Sequence, residues 1–130
     1  MNISDSDPLQ RLFADRRAVN RELLAEVLVE RIWLDRETAT FHFHPGVRDR
    51  IGRARSILAA LLAQKALALA TASENESLTP REIEIHTGFK GGTIRPVLRD
   101  LTRMGVAANH EGRYNVPDPM LEQAIRTLSS

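Results

Sequence analysis

The chain has 130 residues, of which 42% are hydrophobic and 27% charged, and this is the composition of a globular protein with one domain-sized core. It has no cysteine, which excludes disulfides and thiolate metal sites. The net charge is only +1, but residues 48–117 carry 11 basic and 7 acidic side chains, so positive charge is concentrated in the middle of the chain.

The N-terminal sequence MNISDSDPLQ is acidic and polar, unlike a signal peptide. The longest apolar run, ILAALLAQKALALA, is interrupted by Gln64 and Lys65 and is too short to span a bilayer. We therefore expect a cytoplasmic protein that does not bind membranes.

A first helix is predicted over residues 8–28. Asp7 can cap it, and Pro8 suits the first helical position. Apolar residues then recur at steps of three and four: Leu9, Leu12, Phe13, Val19, Leu23, Leu24, Val27 and Leu28. This apolar face either packs on its own domain or forms a seam with a second copy of the chain.

The stretch RIWLDRETATFHFHP alternates apolar and polar residues around a turn, which predicts a β-hairpin over residues 30–35 and 38–44. His42 and His44 project from one face of it, a spacing that occurs in metal sites, but the sequence does not identify a third ligand. We expect exposed histidines here rather than a metal centre. Trp33 either lies outside as a dimer contact or, as we expect, is buried under the first helix.

Four arginines follow in VRDRIGRARS: Arg48, Arg50, Arg53 and Arg55. They either contact an anionic partner or, as we expect, pair with Asp49 and the acidic first helix. Ser56 is the predicted cap of a helix over 57–72 that is buried on most sides. Next, Thr79, Pro80 and Glu82 form a capping box for a short helix, which Gly88 ends.

The stretch GGTIRPVLRDLTRMG predicts a helix that begins at Thr93 as its cap, which places Pro96 where no hydrogen bond is lost. Gly91 and Gly92 are then the preceding turn. The inward residues of this helix are Ile94, Val97, Leu98, Leu101 and Met104. VAANHEGRYNV predicts a short hairpin with its turn at 110–112. Asp118 and Pro119 open a last helix whose inward residues are Leu121, Ala124, Ile125 and Leu128.

Residues 57–117 thus read as helix, short helix, glycine turn, helix and hairpin. With LTPREIEIHTG, GGTIRPVLRDLTRMGV and EGRYNV, they resemble the winged helix-turn-helix domain of multiple-antibiotic-resistance and arsenical-resistance type regulators. The expected fold is mainly α with small β: a winged helix-turn-helix preceded by a long N-terminal helix and a β-hairpin, and closed by a C-terminal helix. We divide it into residues 1–47, for dimerisation or packing, and residues 48–130.

Such a domain places its second helix in the DNA major groove. Arg95, Arg99 and Arg103 step by four and share one face. The expected base contacts are Thr93 and Arg95. The expected phosphate contacts are Arg81, Lys90, Arg99 and Arg103, with His110 and Arg113 reaching the backbone or minor groove from the hairpin. Gly91 and Gly92 would let the helix start approach a phosphate.

No Ser-His-Asp signature, P-loop or two-metal acidic cluster is present in the sequence, so no enzymatic activity or cofactor is expected. We predict a homodimer that binds double-stranded DNA in a sequence-specific way. It would be a transcriptional regulator or an accessory protein of a mobile element or a defence system. The alternative is a winged-helix module that docks a protein partner.

Overall fold

The computed structural model describes residues 8–12 and 16–130 and is mainly helical, with two small two-stranded sheets. The α-helices are Arg16–Leu28 (α1), Val47–Ile51 (α2), Arg53–Ala70 (α3), Pro80–Thr87 (α4), Gly91–Arg103 (α5) and Leu121–Ser129 (α6). The strands are Ile32–Asp35 (β1), Thr40–Phe43 (β2), Ala108–His110 (β3) and Arg113–Asn115 (β4). Two 3-10 helices span Pro8–Leu12 and Asp118–Met120.

The predicted first helix is only partly confirmed. Its C-terminal half is α1, whereas Pro8–Leu12 is a 3-10 helix. Leu9 and Leu12, predicted to face inward, are exposed, because a 3-10 helix has three residues per turn and does not continue an α-helical stripe. Asp7, Phe13 and residues 14–15 lie outside the described residues, as does the side chain of Val19.

Helix α3 is the centre of the core. All residues from Ser56 to Ala63 are buried, and α3 contacts α1, α4, α5 and α6. This confirms the prediction of a helix buried on most sides. The predicted cap at Ser56 is wrong: the helix begins at Arg53, and the Ser56 hydroxyl donates to the Arg48 carbonyl at 3.4 Å. The start is earlier because arginine and alanine are good helix formers, and Gly52, at φ 87°, separates α3 from α2.

A single buried charge, Lys65, lies on α3 among the described residues of this core. Its side chain is 1% exposed, and its ammonium donates to the Val116 carbonyl at 3.0 Å. It also pairs with Glu76 at 3.3 Å and with Asp118 at 2.5 Å. Lys65 therefore ties the segments before and after β3–β4 to the central helix, and its three partners offset the cost of burying its charge.

The N-terminal hairpin, β1–β2, pairs Ile32 with Phe43 and Trp33 with His42. Ile32 and Phe41 are buried against the core, as period-two alternation requires. Trp33 is 55% exposed, so the expectation that it lies under the first helix is wrong. Its position opposite His42 places it on the outer face of the hairpin.

Helix α4 begins as predicted. The Thr79 hydroxyl accepts from the Glu82 N–H at 3.1 Å, and the Glu82 carboxylate accepts from the Thr79 N–H at 2.9 Å. Gly88, at φ 78°, ends the helix in the left-handed conformation. Both local signals are therefore confirmed.

The C-terminal hairpin, β3–β4, turns at Glu111 and Gly112, which both have positive φ, as a tight hairpin turn requires. Leu78 adds a backbone bridge to Tyr114, with two N–H···O bonds of 2.8 Å. The last helix follows, with Leu121, Ala124 and Leu128 buried and Ile125 partly buried.

One buried cluster contains residues from both sides of the predicted boundary at residue 47. Leu24, Leu28 and Phe41 lie in the same core as Leu61 and Leu98. Helix α1 packs against both α3 and α6. Helix α1 and the N-terminal hairpin thus share the core of the rest of the described chain.

Candidate nucleic-acid interface

Helix α5 begins three residues earlier than predicted. Lys90 is the N-cap residue, and its carbonyl accepts from the N–H groups of Thr93 at 2.9 Å and Ile94 at 3.1 Å. Gly91 and Gly92 are therefore the first two helical residues rather than a preceding turn, and Thr93 is not the cap. The early start follows from tertiary packing, because Phe89 packs against the core and donates its N–H to the Thr87 hydroxyl at 3.2 Å, which fixes the turn that leads into the helix.

This early start places Pro96 inside the helix. Because proline has no N–H, the Gly92 carbonyl loses the donor that residue 96 would otherwise supply, and proline inside a helix costs about 3 kcal/mol. The prediction that no hydrogen bond is lost is thus wrong. The helix keeps this position because Ile94, Leu98 and Leu101 are buried on its inner face.

The first turn of α5 is open to a ligand. No side chain caps the helix. The Thr93 N–H donates to the Lys90 carbonyl, but the N–H groups of Gly91 and Gly92 have no carbonyl one turn earlier to accept from them. Apart from its chain neighbours and the backbone of its own helix, nothing lies within 4 Å of the position that a Cβ of Gly92 would take, and Gly91 has only Arg95 Nε at 3.9 Å. Neither glycine has a positive φ. Within the described chain, neither backbone conformation nor packing therefore requires glycine here.

The outer face of α5 carries the predicted arginines. Arg95 and Arg99 are exposed, and neither forms an ion pair with a described carboxylate. Arg103 lies 3.8 Å from Asp100, and both side chains are exposed. The Asp100 carboxylate therefore partly neutralises the positive charge at the C-terminal end of this face. The unpaired positive charge therefore lies towards the start of the helix.

Met104, predicted to face inward, is 52% exposed. Helix α5 ends at Arg103, and Gly105 reverses the chain with φ 80°. Met104 therefore follows the last helical residue and does not continue the apolar stripe.

A basic cleft of about 450 Å³ adjoins the start of α5. Its lining residues are Arg48, Asp49, Gly52, Arg53, Phe89, Lys90 and Thr93. The cleft brings together Arg48 of α2, Arg53 at the start of α3, and the predicted contacts Lys90 and Thr93. The Asp49 carboxylate repels an anion there, but it is outnumbered by three basic side chains, Arg48, Arg53 and Lys90.

Arg48 also braces the turn between α4 and α5. Its Nη1 donates to the Thr87 carbonyl, and its guanidinium lies 5.8 Å from the centroid of the Phe43 ring. A carbonyl at the end of a helix lacks a helical donor, so the arginine satisfies it. We expected the four arginines to pair with Asp49 and the first helix, and no such ion pair occurs among the described residues. Sequence reasoning missed this brace, because 39 residues separate the two groups.

Arg113 has a structural role that the sequence does not reveal. Its Nε donates to the Ser77 hydroxyl at 2.9 Å, and its Nη2 donates to the Ser77 carbonyl at 3.1 Å and to Asn75 Oδ1 at 3.2 Å. The same Nη2 lies 3.3 Å from Glu82. Most of its donors are therefore occupied in holding β4 to the segment before α4.

Arg81 and His110, the other predicted contacts, are both exposed. Arg81 lies 3.9 Å from Glu84, a long and exposed ion pair that competes little with a phosphate. His110 lies opposite Arg113 at the end of the C-terminal hairpin. Both side chains are accessible to a ligand. Arg81 lies in α4, before α5, and His110 lies in β3, after it.

The two metal candidates are not brought into a ligand set. His42 Nε2 lies 3.9 Å from Asp35, while the His44 ring packs on Trp33 with 4.3 Å between centroids. Among the described residues there is no group of three histidine or carboxylate side chains that could hold a metal ion.

His86 connects α4 to the N-terminal hairpin. Its ring stacks on Phe41, with 4.0 Å between centroids and 18° between planes. Burial lowers the pKa of His86, and the nearby Glu82 carboxylate opposes that effect in part. Burial against Phe41 therefore favours the neutral form of the imidazole.

Comparison of the chain with protein-family models, with curated proteins and with solved structures found no match. Among the described helices, none has the length and apolar character needed to cross a membrane.

Proposed function

We propose that the chain binds double-stranded DNA through a winged helix-turn-helix. In this proposal α4 and α5 are the helix-turn-helix, α5 is the recognition helix, and the C-terminal hairpin is the wing. The bridge between Leu78 and Tyr114 supports this assignment, because it joins the wing to the start of α4 through backbone hydrogen bonds.

The observation that carries the proposal is the open start of α5. An uncapped helix N-terminus with two sterically unhindered glycines presents free N–H groups to an anion. Arg95 and Arg99 extend the positive charge along the exposed face. Both features suit a helix that faces a nucleic acid, since phosphates position the protein and side chains at the helix start read bases.

Within this proposal Thr93 and Arg95 contact bases, and Lys90 and Arg99 contact phosphates. Arg53 extends the footprint from α3, since it shares the basic cleft with Lys90. Arg113 serves mainly to position the wing, because its guanidinium is already bound to the segment before α4.

A salt titration tests DNA binding. The binding of labelled duplex fragments from the chain's own genomic neighbourhood is measured at several salt concentrations. Each neutralised phosphate contributes a slope of about −0.9 in log affinity against log salt, so contacts to about four phosphates predict a slope near −3.6. Failure to bind any duplex at low salt contradicts the proposal.

The Arg95→Ala variant tests base recognition. Loss of a bidentate base contact lowers the affinity for the preferred duplex by about 1–3 kcal/mol and reduces discrimination between sequences. Arg126→Ala is the matched control, since Arg126 is an exposed arginine on α6. An equal loss for all sequences would assign Arg95 to a phosphate instead.

We also propose a homodimer, in which the exposed Trp33 supplies apolar contact area. A dimer would place two recognition helices about one DNA turn apart and select palindromic sites. Size-exclusion chromatography with light scattering tests this proposal, and a monomer at all concentrations would contradict it.

A second candidate function is a winged-helix module that binds a protein. Ile85 on α4 is 69% exposed and Met104 is 52% exposed, so both side chains could supply apolar contact area to a protein partner. Ile85→Asp and Met104→Asp would abolish binding to such a partner, captured from the native host, whereas Arg95→Ala would leave it intact.

A further inference from the structure

An apolar groove lies on the side of α3 that packs against α1 and β1. Its volume is about 300 Å³, at the lower end of the range for small-molecule sites. Leu24 and Leu28 of α1, Ile32 of β1, and Ala66 and Leu69 of α3 contribute to its walls. The groove therefore offers an apolar ligand a surface made by three elements of the fold.

Among the described residues that line the groove, Arg21 alone is charged. Its Nη2 donates to the Leu69 carbonyl at 2.8 Å, which holds the guanidinium across the α1–α3 contact. No described carboxylate forms an ion pair with it. Because a guanidinium has five N–H donors in a planar fork, most of its donors remain free for a carboxylate.

We propose that this groove binds a small amphipathic carboxylate, with the apolar part among the leucines and the carboxylate against Arg21. The charge selects the class of ligand, since a cation at an otherwise apolar site favours an anion with a hydrophobic tail. The volume of the groove limits the size of the ligand. It equals the volume of roughly ten molecules of liquid water, and a short acyl chain or a substituted aromatic ring fits within it. The site does not involve α5 or the basic cleft, so it is independent of DNA binding.

Octanoate and 1-octanol are the probes, because they share an apolar chain and differ in charge. Calorimetry and methyl NMR of the full chain should give saturable one-to-one octanoate binding, with shifts at Leu24, Leu28 and Ile32. Octanol should bind roughly tenfold or more weakly, since it lacks the charge-assisted hydrogen bonds. Arg21→Gln should weaken octanoate to the level of octanol and leave octanol unchanged, and Arg126→Gln should change neither.

Ala66→Phe tests the location, because a phenyl ring at this half-buried position occupies the groove. It should abolish binding of both probes, and circular dichroism checks that the variant folds. If the Ala66→Phe variant does not fold, the Arg21→Gln variant provides the test. Non-saturable binding, equal affinity for both probes, or octanoate binding that survives Ala66→Phe in the folded protein would each overturn the proposal. A dimer that ignores octanoate and dissociates in Ala66→Phe would overturn it too, and would assign the groove to an interface between copies.

Discussion

Replacing Gly92 with alanine should have opposite effects on stability and on DNA binding. Gly92 is the second residue of α5, its φ is not positive, and nothing beyond its chain neighbours and its own helix backbone lies within 4 Å of its Cβ position. Alanine therefore introduces neither strain nor a clash. Because alanine is the better helix former and loses less backbone entropy on folding, we expect a gain of about 0.5–1 kcal/mol in the free energy of unfolding.

The same methyl group should weaken DNA binding. It projects from the first turn of α5, where the proposed phosphate approaches the free N–H groups. Losing one charge-assisted hydrogen bond costs about 1.5–3 kcal/mol, which corresponds to an affinity roughly 10- to 150-fold lower. If the glycines have only a structural role, there is no physical reason for this loss.

Urea denaturation followed by circular dichroism gives the stability, and fluorescence anisotropy with a labelled duplex gives the affinity. Thr102→Ala is the matched control, because Thr102 is an exposed residue near the other end of α5 and alanine also raises helix propensity there. A Gly92→Ala variant that is more stable and binds DNA with unchanged affinity would refute the role of the helix start. A less stable variant would refute the assignment of Gly92 to an unstrained helical position.

Lys65→Met should lower the free energy of unfolding by about 1–3 kcal/mol in urea titrations, because the buried Val116 carbonyl loses its donor while the carboxylate partners can regain water. An unchanged midpoint would contradict this role. Thr79→Ala should cost about 1 kcal/mol by removing the capping box with Glu82, and Thr79→Ser should recover most of it. Because the pKa of His86 is lowered in the folded protein, its neutral form contributes to the free energy of unfolding. This contribution is fully present above the unfolded pKa near 6.5, and it is lost as the pH falls from there towards the lower folded pKa. His86→Gln should reduce the change in melting temperature between about pH 7 and pH 5, and an identical change in both proteins would contradict the contribution of His86.

Short-range signals predicted most of the secondary structure. Thr79 and Glu82 mark the start of α4, Gly88 marks its end, and the pair Glu111–Gly112 marks the turn of the C-terminal hairpin. Each signal acts between residues that are neighbours in the chain, so its outcome does not depend on distant contacts. The exposed arginines of α5 were predictable for the same reason, since helical periodicity alone separates the two faces.

The start of α5 could not be predicted in this way. Proline and glycine both disfavour a helix over residues 91–96, and local rules therefore place the cap at Thr93. Phe89 packs against the core and fixes the turn before the helix, and the helix begins at Gly91. The tertiary structure decided this boundary because the core that Phe89 contacts is built by residues distant in the chain, which local propensity does not include.

The grouping of basic residues was likewise set by tertiary structure. The sequence by itself determined that the chain is rich in helix, that its centre is a buried helix, and that positive charge follows residue 47. It did not determine that Arg48 contacts Thr87, that Arg53 lies beside Lys90, or that Arg113 is bound to Ser77. These residues are far apart in the chain, and only the packing of helices around α3 brings them together. Propensity and periodicity act over a few residues, so the helices and strands could be predicted from the sequence. A binding surface is made by contacts between these elements, and for that reason it could not.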